Sequence, residues 1–262
     1  MILALVGPAL ASACCVGSVS DLPAQLGRCE RFGAALGVAQ AVELGAHDAH
    51  GAWGATSDGW SQTVATLGVA GRWARWGSAS LALPAVFTAR TAQDGGSLGG
   101  GVGDLALVAR IEPWEEGGGP RPAFTVGIVA PTGRDWAHAQ DPRGADVTGQ
   151  GTWAPTAGIA LERTGATWPW RLGIEASGAG MAAASASVGR YLGTRWTLTG
   201  ALSSRVEWSA AGLGVRTGAD LRVIHGKPGR WRAWLGVGSD LPFLGRAAHG
   251  EARATAGMLL VR

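Results

Sequence analysis

Residues 196–208 read WTLTGALSSRVEW. Every second residue from Trp196 to Trp208 is apolar or small, and the residues between them are Thr, Ala, Ser, Arg and Glu. A period of two is that of a β-strand, in which successive side chains point to opposite faces. The stretch therefore predicts a strand with one apolar face and one wet face.

The same alternation recurs along the chain and marks segments that begin near residues 31, 60, 76, 101, 122, 152, 168, 181, 196, 211, 231 and 251. An even number of strands suits a closed barrel whose two chain ends lie on one side. We therefore predict an all-β fold: a single antiparallel transmembrane β-barrel of about 12 strands, with both termini on the periplasmic side.

The composition agrees with this class of fold. Of 262 residues, 47% are hydrophobic, 16% are charged, 44 are Gly and 13 are Trp, and the net charge is +3. Such a chain is too apolar to be disordered, and its glycines lack the period of three of collagen. No stretch supplies the run of about 18 apolar residues that a transmembrane helix needs.

A soluble β-sandwich is the competing interpretation, and the wet faces argue against it. In a sandwich the water-facing side carries Lys, Glu and Asp freely. Here the wet faces hold mostly Gly, Ala, Ser and Thr with sparse Arg and acidic residues, and the chain has one Lys. Small residues suit the confined interior of a barrel, while the apolar face meets lipid.

Loop lengths differ between the two ends of the predicted barrel. The long links fall on one side, at residues 47–59, 91–100, 131–151 and 241–250, and shorter links fall on the other, at 74–75, 115–121, 164–167, 192–195 and 226–230. Short periplasmic turns opposite long extracellular loops are typical of outer-membrane barrels.

Tryptophan concentrates at the predicted strand ends. Indole rings favour the boundary between membrane and water, and the alternative is that they cap the ends of a soluble barrel. The residues predicted to anchor the barrel at the membrane interface are Trp60, Trp73, Trp76, Trp114, Trp153, Trp168, Trp170, Trp196, Trp208 and Trp231.

Charged residues on the wet faces are the functional candidates. They line an aqueous path and set its selectivity, or they pair across a narrow interior and close it. The predicted lumen residues are Asp104, Arg110, Glu112, Glu162, Arg171, Glu175, Arg205, Glu207, Arg216, Asp220 and Arg222.

The beginning of the chain has the character of a secretory signal. Residues 1–13 are apolar and end in Ala-Ser-Ala, so we predict a signal peptide. Its start carries no Lys or Arg, so this signal peptide can be incomplete. A periplasmic segment at 14–30 and the barrel at 31–262 follow. Cys15 and Cys29 can pair in an oxidising compartment. Cys14 is then free, in an intermolecular bond or lipidated.

Two prolines lie inside predicted strands. Pro84 and Pro155 each remove a hydrogen-bond donor from the ladder, and a closed barrel has no edge to accommodate them. They predict bulges, or a strand that begins later than its pattern.

Two stretches, GVGDLALVAR at residues 101–110 and GIVAPTGRD at 127–135, carry a family resemblance. They resemble the bacterial outer-membrane transporters named for the meta pathway of phenol degradation, through Gly101, Gly103, Asp104, Arg110, Pro131, Thr132 and Gly133. The resemblance extends loosely over residues 60–262. It implies a monomeric outer-membrane barrel through which small solutes pass, hydrophobic ones included, and it supplies no catalytic residues.

Other kinds of site find little support. His47, Asp48 and His50 offer two imidazoles and a carboxylate, but no Cys and no third His lies nearby to complete four metal ligands. No phosphate-binding Gly-Lys-Ser/Thr motif follows the glycines at 99–103, and no nucleophile elbow is present. The arginines are scattered, which disfavours a nucleic-acid partner. We therefore predict no cofactor, no metal and no enzymatic activity.

The predicted function is passive permeation of small solutes across the outer membrane of a Gram-negative bacterium. Its expected partners are the lipid bilayer, the solutes and the barrel-assembly machinery. The alternative is a non-conducting structural or surface-interaction barrel that acts through its long extracellular loops.

Overall fold

The computed structural model describes residues 26, 30–47, 53–54, 59–92, 95–113, 119–163, 168–193, 195–209, 212–227, 230–244 and 249–262. The predicted signal peptide, Cys14, Cys15, Cys29, His50 and Trp114 lie outside the described residues.

The described residues form antiparallel strands. These are β1 (Phe32–His47), β2 (Trp53–Gly54), β3 (Gly59–Ala74), β4 (Gly77–Ala92), β5 (Gly95–Val102), β6 (Leu105–Ile111), β7 (Arg121–Ala130), β8 (Ala154–Arg163), β9 (Trp170–Ser177), β10 (Met181–Leu192), β11 (Trp196–Ser209), β12 (Gly212–Lys227), β13 (Trp231–Leu244) and β14 (His249–Val261). One turn of 3-10 helix spans Trp136–His138. In this described part of the chain, no helix is both long and apolar enough to cross a membrane.

The sheet closes on itself. Each strand pairs with its neighbour in the chain, and β14 pairs with β1 from Gly33 opposite Val261 to Ala46 opposite His249. The short β2 pairs antiparallel with the last two residues of β1, while β5 and β6 are two parts of one strand that both pair with β4. The predicted antiparallel barrel of twelve strands is therefore confirmed.

The alternation read from the sequence separates an outer from an inner face. On β11, Leu202 is 62% exposed on the outer face, whereas Thr199 is 3% exposed on the inner face. The outer face is apolar and no second sheet covers it. Such a surface requires a lipid bilayer as its solvent.

The two ends of the barrel differ, and we name them by the chain. The near end holds the first residue of β1 and the last of β14, and the far end lies opposite. At the far end the wall has two heights. The low wall is made of β6 to β9, which have seven to ten residues each, and β5 continues β6 to the far end only beside β4. The tall wall is made of β10 to β14, β1, β3 and β4, with twelve to sixteen residues each.

Each proline has a local explanation. The register moves from Ala82 opposite Ala106 to Ala85 opposite Val102, so one extra residue bulges between β5 and β6, beside Pro84. The Gly103 N–H donates to the Pro84 carbonyl at 2.7 Å, on the side where Pro84 lacks a donor. Pro155 is the second residue of β8, which begins at Ala154 rather than near 152.

One predicted long link is short. β4 continues to Ala92 and β5 begins at Gly95, so the proposed link at 91–100 is mostly strand. The alternation is weak there because β5 reads GGSLGGGV, which offers few side chains to alternate.

The chain reaches β1 from inside the near end. Leu26 is 5% exposed and packs with Ala35, Ala70 and Leu259 on the inner face. Arg72 Nη2 donates to the Leu26 carbonyl at 3.3 Å, and Glu30 pairs with Arg232 at 2.5 Å.

Candidate functional site

Two groups of charged side chains lie on the inner face of the barrel. The first, the near cluster, consists of Arg72, Arg110, Glu112, Glu162 and Arg171. Arg110 Nε lies 2.6 Å from Glu112 Oε1, and Arg110 Nη2 lies 2.7 Å from Glu162 Oε2. Arg72 and Arg171 each extend the row, at 3.5 Å from Glu112 and Glu162 respectively. The charges alternate in sign and all five side chains are buried, so each charge has an opposite neighbour to offset its desolvation.

The second group, the far cluster, consists of Arg205, Glu207, Arg216, Asp220, Asp240, Glu251 and Arg253. Arg253 Nη2 lies 3.2 Å from Asp240 and 3.5 Å from Asp220, and Arg253 Nε lies 3.7 Å from Glu251. Glu207 lies between Arg205 and Arg216, at 3.8 and 3.6 Å. These nitrogen–oxygen distances are longer than the two shortest ones in the near cluster, and the Glu207 side chain is 25% exposed.

Glycines let the acidic side chains of the far cluster lie along the wall. Asp240 is opposite Gly218 on the paired strand, and Asp220 is opposite Gly238. Each carboxylate occupies the space that a Cβ of the facing glycine would fill. Both carboxylates therefore lie against the wall over the facing glycines, within 3.5 Å of Arg253.

The predicted lumen residues can now be placed. Ten of the eleven belong to positions on the inner face: Arg110, Glu112, Glu162, Arg171, Glu175, Arg205, Glu207, Arg216, Asp220 and Arg222. The structure brings four of these into the near cluster and four into the far cluster. Asp104 instead lies at the bulge between β5 and β6 and binds backbone N–H groups.

Sequence reasoning missed four members of the clusters. Arg72, Asp240, Glu251 and Arg253 lie on the inner face. The alternation on β14, with Ala252, Ala254 and Ala256 outward, places Glu251 and Arg253 inward, so the signal was available in the sequence.

The two family motifs meet at one point of the fold, the motif junction, formed by Gly103, Asp104, Thr132, Gly133 and Gln150. Thr132 Oγ1 donates to the Gly103 carbonyl at 2.7 Å. Asp104 accepts hydrogen bonds from the backbone N–H of Gly133 at 2.9 Å and of Gln150 at 2.7 Å. The junction thus fixes both ends of the connection between β7 and β8.

That connection contains an inner segment, residues 134–150, which folds against the inner face of β5. Gly99 on β5 is opposite Thr88, which is buried on the inner face. A Cβ at Gly99 would lie 2.5 Å from the Ala145 carbonyl carbon and from the Asp146 nitrogen. Ala145, Val147 and Thr148 are buried. The segment therefore occupies part of the lumen beside the low wall.

Hydrogen bonds hold the inner segment as a closed loop. Thr148 N and Gly149 N donate to the Arg134 carbonyl at 2.8 and 3.0 Å, and Thr148 Oγ1 donates to the Val102 carbonyl at 2.7 Å. Asp146 accepts from the Gln140 N–H at 2.9 Å and from the Arg134 guanidinium at 2.6 Å. The Gln140 N–H, and after it Arg134, holds the pKa of the Asp146 carboxyl below its ordinary value.

The described tryptophans lie at both ends of the barrel. Trp73 and Trp76 are exposed near-end neighbours, with ring centroids 6.2 Å apart. Trp196 and Trp231 both contact the His225 ring, at 4.1 and 5.3 Å. Trp168 and Trp170 also lie at the near end, and Trp153 and Trp208 are exposed at the far end. Trp60 differs, because its register opposite Arg90 places it on the inner face.

The described ranges contain no group of three or more His, Cys, Asp or Glu residues arranged to hold a metal ion. Chemically, the inner face is a glycine-rich wall that carries ion pairs. The inner segment narrows the lumen on one side.

Solved structures resemble this architecture closely. An outer-membrane channel from Pseudomonas putida F1 superposes with a TM-score of 0.71 at 14% identity, over 92% of this chain and 98% of that chain. The fold is that of an outer-membrane β-barrel. The β domain of the Bordetella autotransporter Brka matches with a TM-score of 0.55 at 13% identity, over 89% of this chain and 100% of that chain.

A third similar structure, the KdgM porin in complex with oligogalacturonate, matches with a TM-score of 0.50 at 7% identity, over 86% of this chain and 98% of that chain. Together with the closed barrel and its apolar outer face, these three structures are consistent with the outer membrane of a Gram-negative bacterium. No protein-family model and no curated protein sequence matches the chain.

Proposed function

We propose that the protein is a passive outer-membrane channel for small solutes, hydrophobic ones included, with a narrow lumen of mixed charge. The observation that carries the proposal is the direction of the ion pairs. Every pair of the near and far clusters joins groups on one strand, or on strands at most two apart in the barrel, with Glu112 counted with β6, which it directly follows. Pairs that run along the wall support a lined path better than a plug closed by pairs across the lumen.

The similarity to the Pseudomonas channel and to a porin supports this proposal at the level of the fold. The motif junction supports membership of the family that Gly103, Asp104, Thr132 and Gly133 resemble, since these residues contact one another. In this proposal the chain is secreted, is inserted by the barrel-assembly machinery and works as a monomer. Charged residues of the far cluster act as its filter, with the inner segment as the constriction.

Conductance in planar lipid bilayers tests the proposal. The purified, refolded full chain is expected to give reproducible conductance steps. Arg216→Glu should shift the permeability ratio several-fold toward cations, because Arg216 is a lumen charge in the far cluster. The matched control is Arg262→Glu, an exposed near-end residue, which should leave the ratio unchanged.

A folded barrel is recognised by its heat-modifiable mobility on gels. Protein that shows this mobility and yet gives no conductance steps would contradict the channel and favour a non-conducting barrel that acts through its loops.

A further inference from the structure

One arc of the outer face at the near end combines basic and aromatic side chains. It follows consecutive strands from β8 to β13, and we name it the basic arc. Its members are Arg163, Trp168, Trp170, Arg190, Trp196, His225 and Trp231.

Positive charge is concentrated at the near end. The exposed arginines there are Arg31, Arg75, Arg163, Arg190, Arg195, Arg230 and Arg262, and none of them forms an ion pair with an acidic residue in the described ranges. At the far end, by contrast, the exposed Arg134 pairs with Asp146 at 2.6 Å.

Arg190 lies on the lipid-facing side of the wall rather than in a turn. Its register partner is Leu198, and the neighbouring outer position, Val188, is 49% exposed. The Arg190 guanidinium lies 5.0 Å from the centre of the Trp168 ring. Stacking on an indole positions a guanidinium but leaves its N–H donors available in the plane of the group.

Arg163 is a second arginine on the outer face, two strands away from Arg190. It is the last residue of β8 and is opposite Trp170 on β9, whose other neighbour is β10 with Arg190. Trp170 is opposite Val188 on β10, so Arg190 lies two residues further along its strand than Arg163 does. Two strand spacings of about 4.8 Å and a two-residue rise of about 7 Å put the two arginine backbones about 12 Å apart. Both side chains can reach one group placed between them, above Trp168 and Trp170.

A guanidinium at a membrane interface needs an anion, because its charge is costly against lipid unless it is paired. Planar guanidinium groups bind phosphate in a bidentate way. We propose that Arg163 and Arg190, with Trp168 and Trp170 beneath them, bind the phosphate of an anionic phospholipid such as phosphatidylglycerol.

The loop lengths favour phospholipid over lipid A as the source of the phosphate. The near end carries the short turns, such as the one between β3 and β4, and short turns are periplasmic in outer-membrane barrels. The periplasmic leaflet consists of phospholipid. Lipid binding at this site requires that the barrel lie in the outer membrane, as in the proposed function, but it does not require that the barrel conduct solutes.

Native mass spectrometry of the refolded full chain tests the site with phosphatidylglycerol as the probe. Each arginine is expected to contribute about 5-fold in affinity, which corresponds to about 1 kcal/mol. The double variant Arg163→Gln/Arg190→Gln should therefore weaken binding on the order of 25-fold. The matched control is Arg31→Gln/Arg262→Gln, which removes the same charge at the same end outside the basic arc, and should bind as the original protein does.

Three results would overturn the assignment: equal loss of binding in the control, equal binding of phosphatidylcholine and phosphatidylglycerol, or preference for lipid A over phosphatidylglycerol. Heat-modifiable mobility confirms that each variant is folded. Conductance is recorded separately, and a variant that loses lipid but still conducts leaves the channel proposal unaffected.

Discussion

The low wall and the tall wall use lumen charges differently. In the near cluster, which is built mainly on the low wall, the closest pairs lie at 2.6 and 2.7 Å and no side chain is more than 8% exposed. In the far cluster on the tall wall, pairs lie at 3.2 to 3.8 Å, and Glu207 reaches 25% exposure. Short strands have fewer ladder hydrogen bonds, so we infer that the low wall depends on its side chains for stability. On the tall wall Glu207 and Arg205, whose side chains are 25% and 16% exposed, are freer to face a solute.

The largest expected effect comes from breaking the near cluster. Glu162→Gln removes the carboxylate next to both Arg110 and Arg171. Breaking a buried pair from one side typically costs about 3–5 kcal/mol, because the remaining charge stays desolvated. We expect a loss of this size in the free energy of unfolding, measured by denaturant titration of heat-modifiable mobility.

The matched variant on the tall wall is Glu207→Gln. Its partners are farther away and its side chain is partly exposed, so the cost should stay below about 1 kcal/mol. Equal losses in the two variants would show that the walls do not differ in this way.

A smaller effect tests the inner segment beside the low wall. Gly99→Ala places a Cβ 2.5 Å from backbone atoms of Ala145 and Asp146, so the segment must move. Overpacking of this kind costs about 1–3 kcal/mol. Because the inner segment then loses its packing against β5 and detaches, we expect larger conductance steps and faster proteolytic cleavage within residues 134–150.

Gly214→Ala is the corresponding change on the tall wall. A Cβ at Gly214 meets nothing within 4 Å, so conductance and cleavage should be unchanged. If Gly214→Ala opened the channel as much as Gly99→Ala, the inner segment would not be the constriction.

The smallest effect is a dependence on pH. The pKa of the Asp146 carboxyl is lowered in the folded protein, first by the Gln140 N–H and then by Arg134. A lowered pKa in the folded state means that Asp146 stabilises the inner segment at neutral pH. This contribution is lost as the pH falls below the ordinary aspartate value of about 3.9 and through the folded-state pKa.

Conductance should therefore rise as the medium is acidified below about pH 4. Asp146→Asn should show the larger steps already at neutral pH and respond less to acid. An unchanged acid response in Asp146→Asn would assign the pH dependence to another group.

The sequence predicted the barrel well because period-two alternation is a local property. Trp196 to Trp208 show it in thirteen residues, and the same pattern identified the inner face. Pairing across strands is not local. Nothing near Asp104 in the chain indicates that its carboxylate binds the Gln150 N–H, and Trp60 faces inward although its position at a strand end resembles that of Trp208.

The ladder between β1 and β14 has consequences for folding kinetics. The Arg31 N–H donates to the Arg262 carbonyl at 2.8 Å, which joins the two ends of the barrel sequence. Closing a chain segment of this length costs about 2–3 kcal/mol more than closing a hairpin. We expect this ladder to form last and to limit the folding rate, because pairing between distant residues is slow. After closure, neither β1 nor β14 is an exposed edge strand that could recruit another chain.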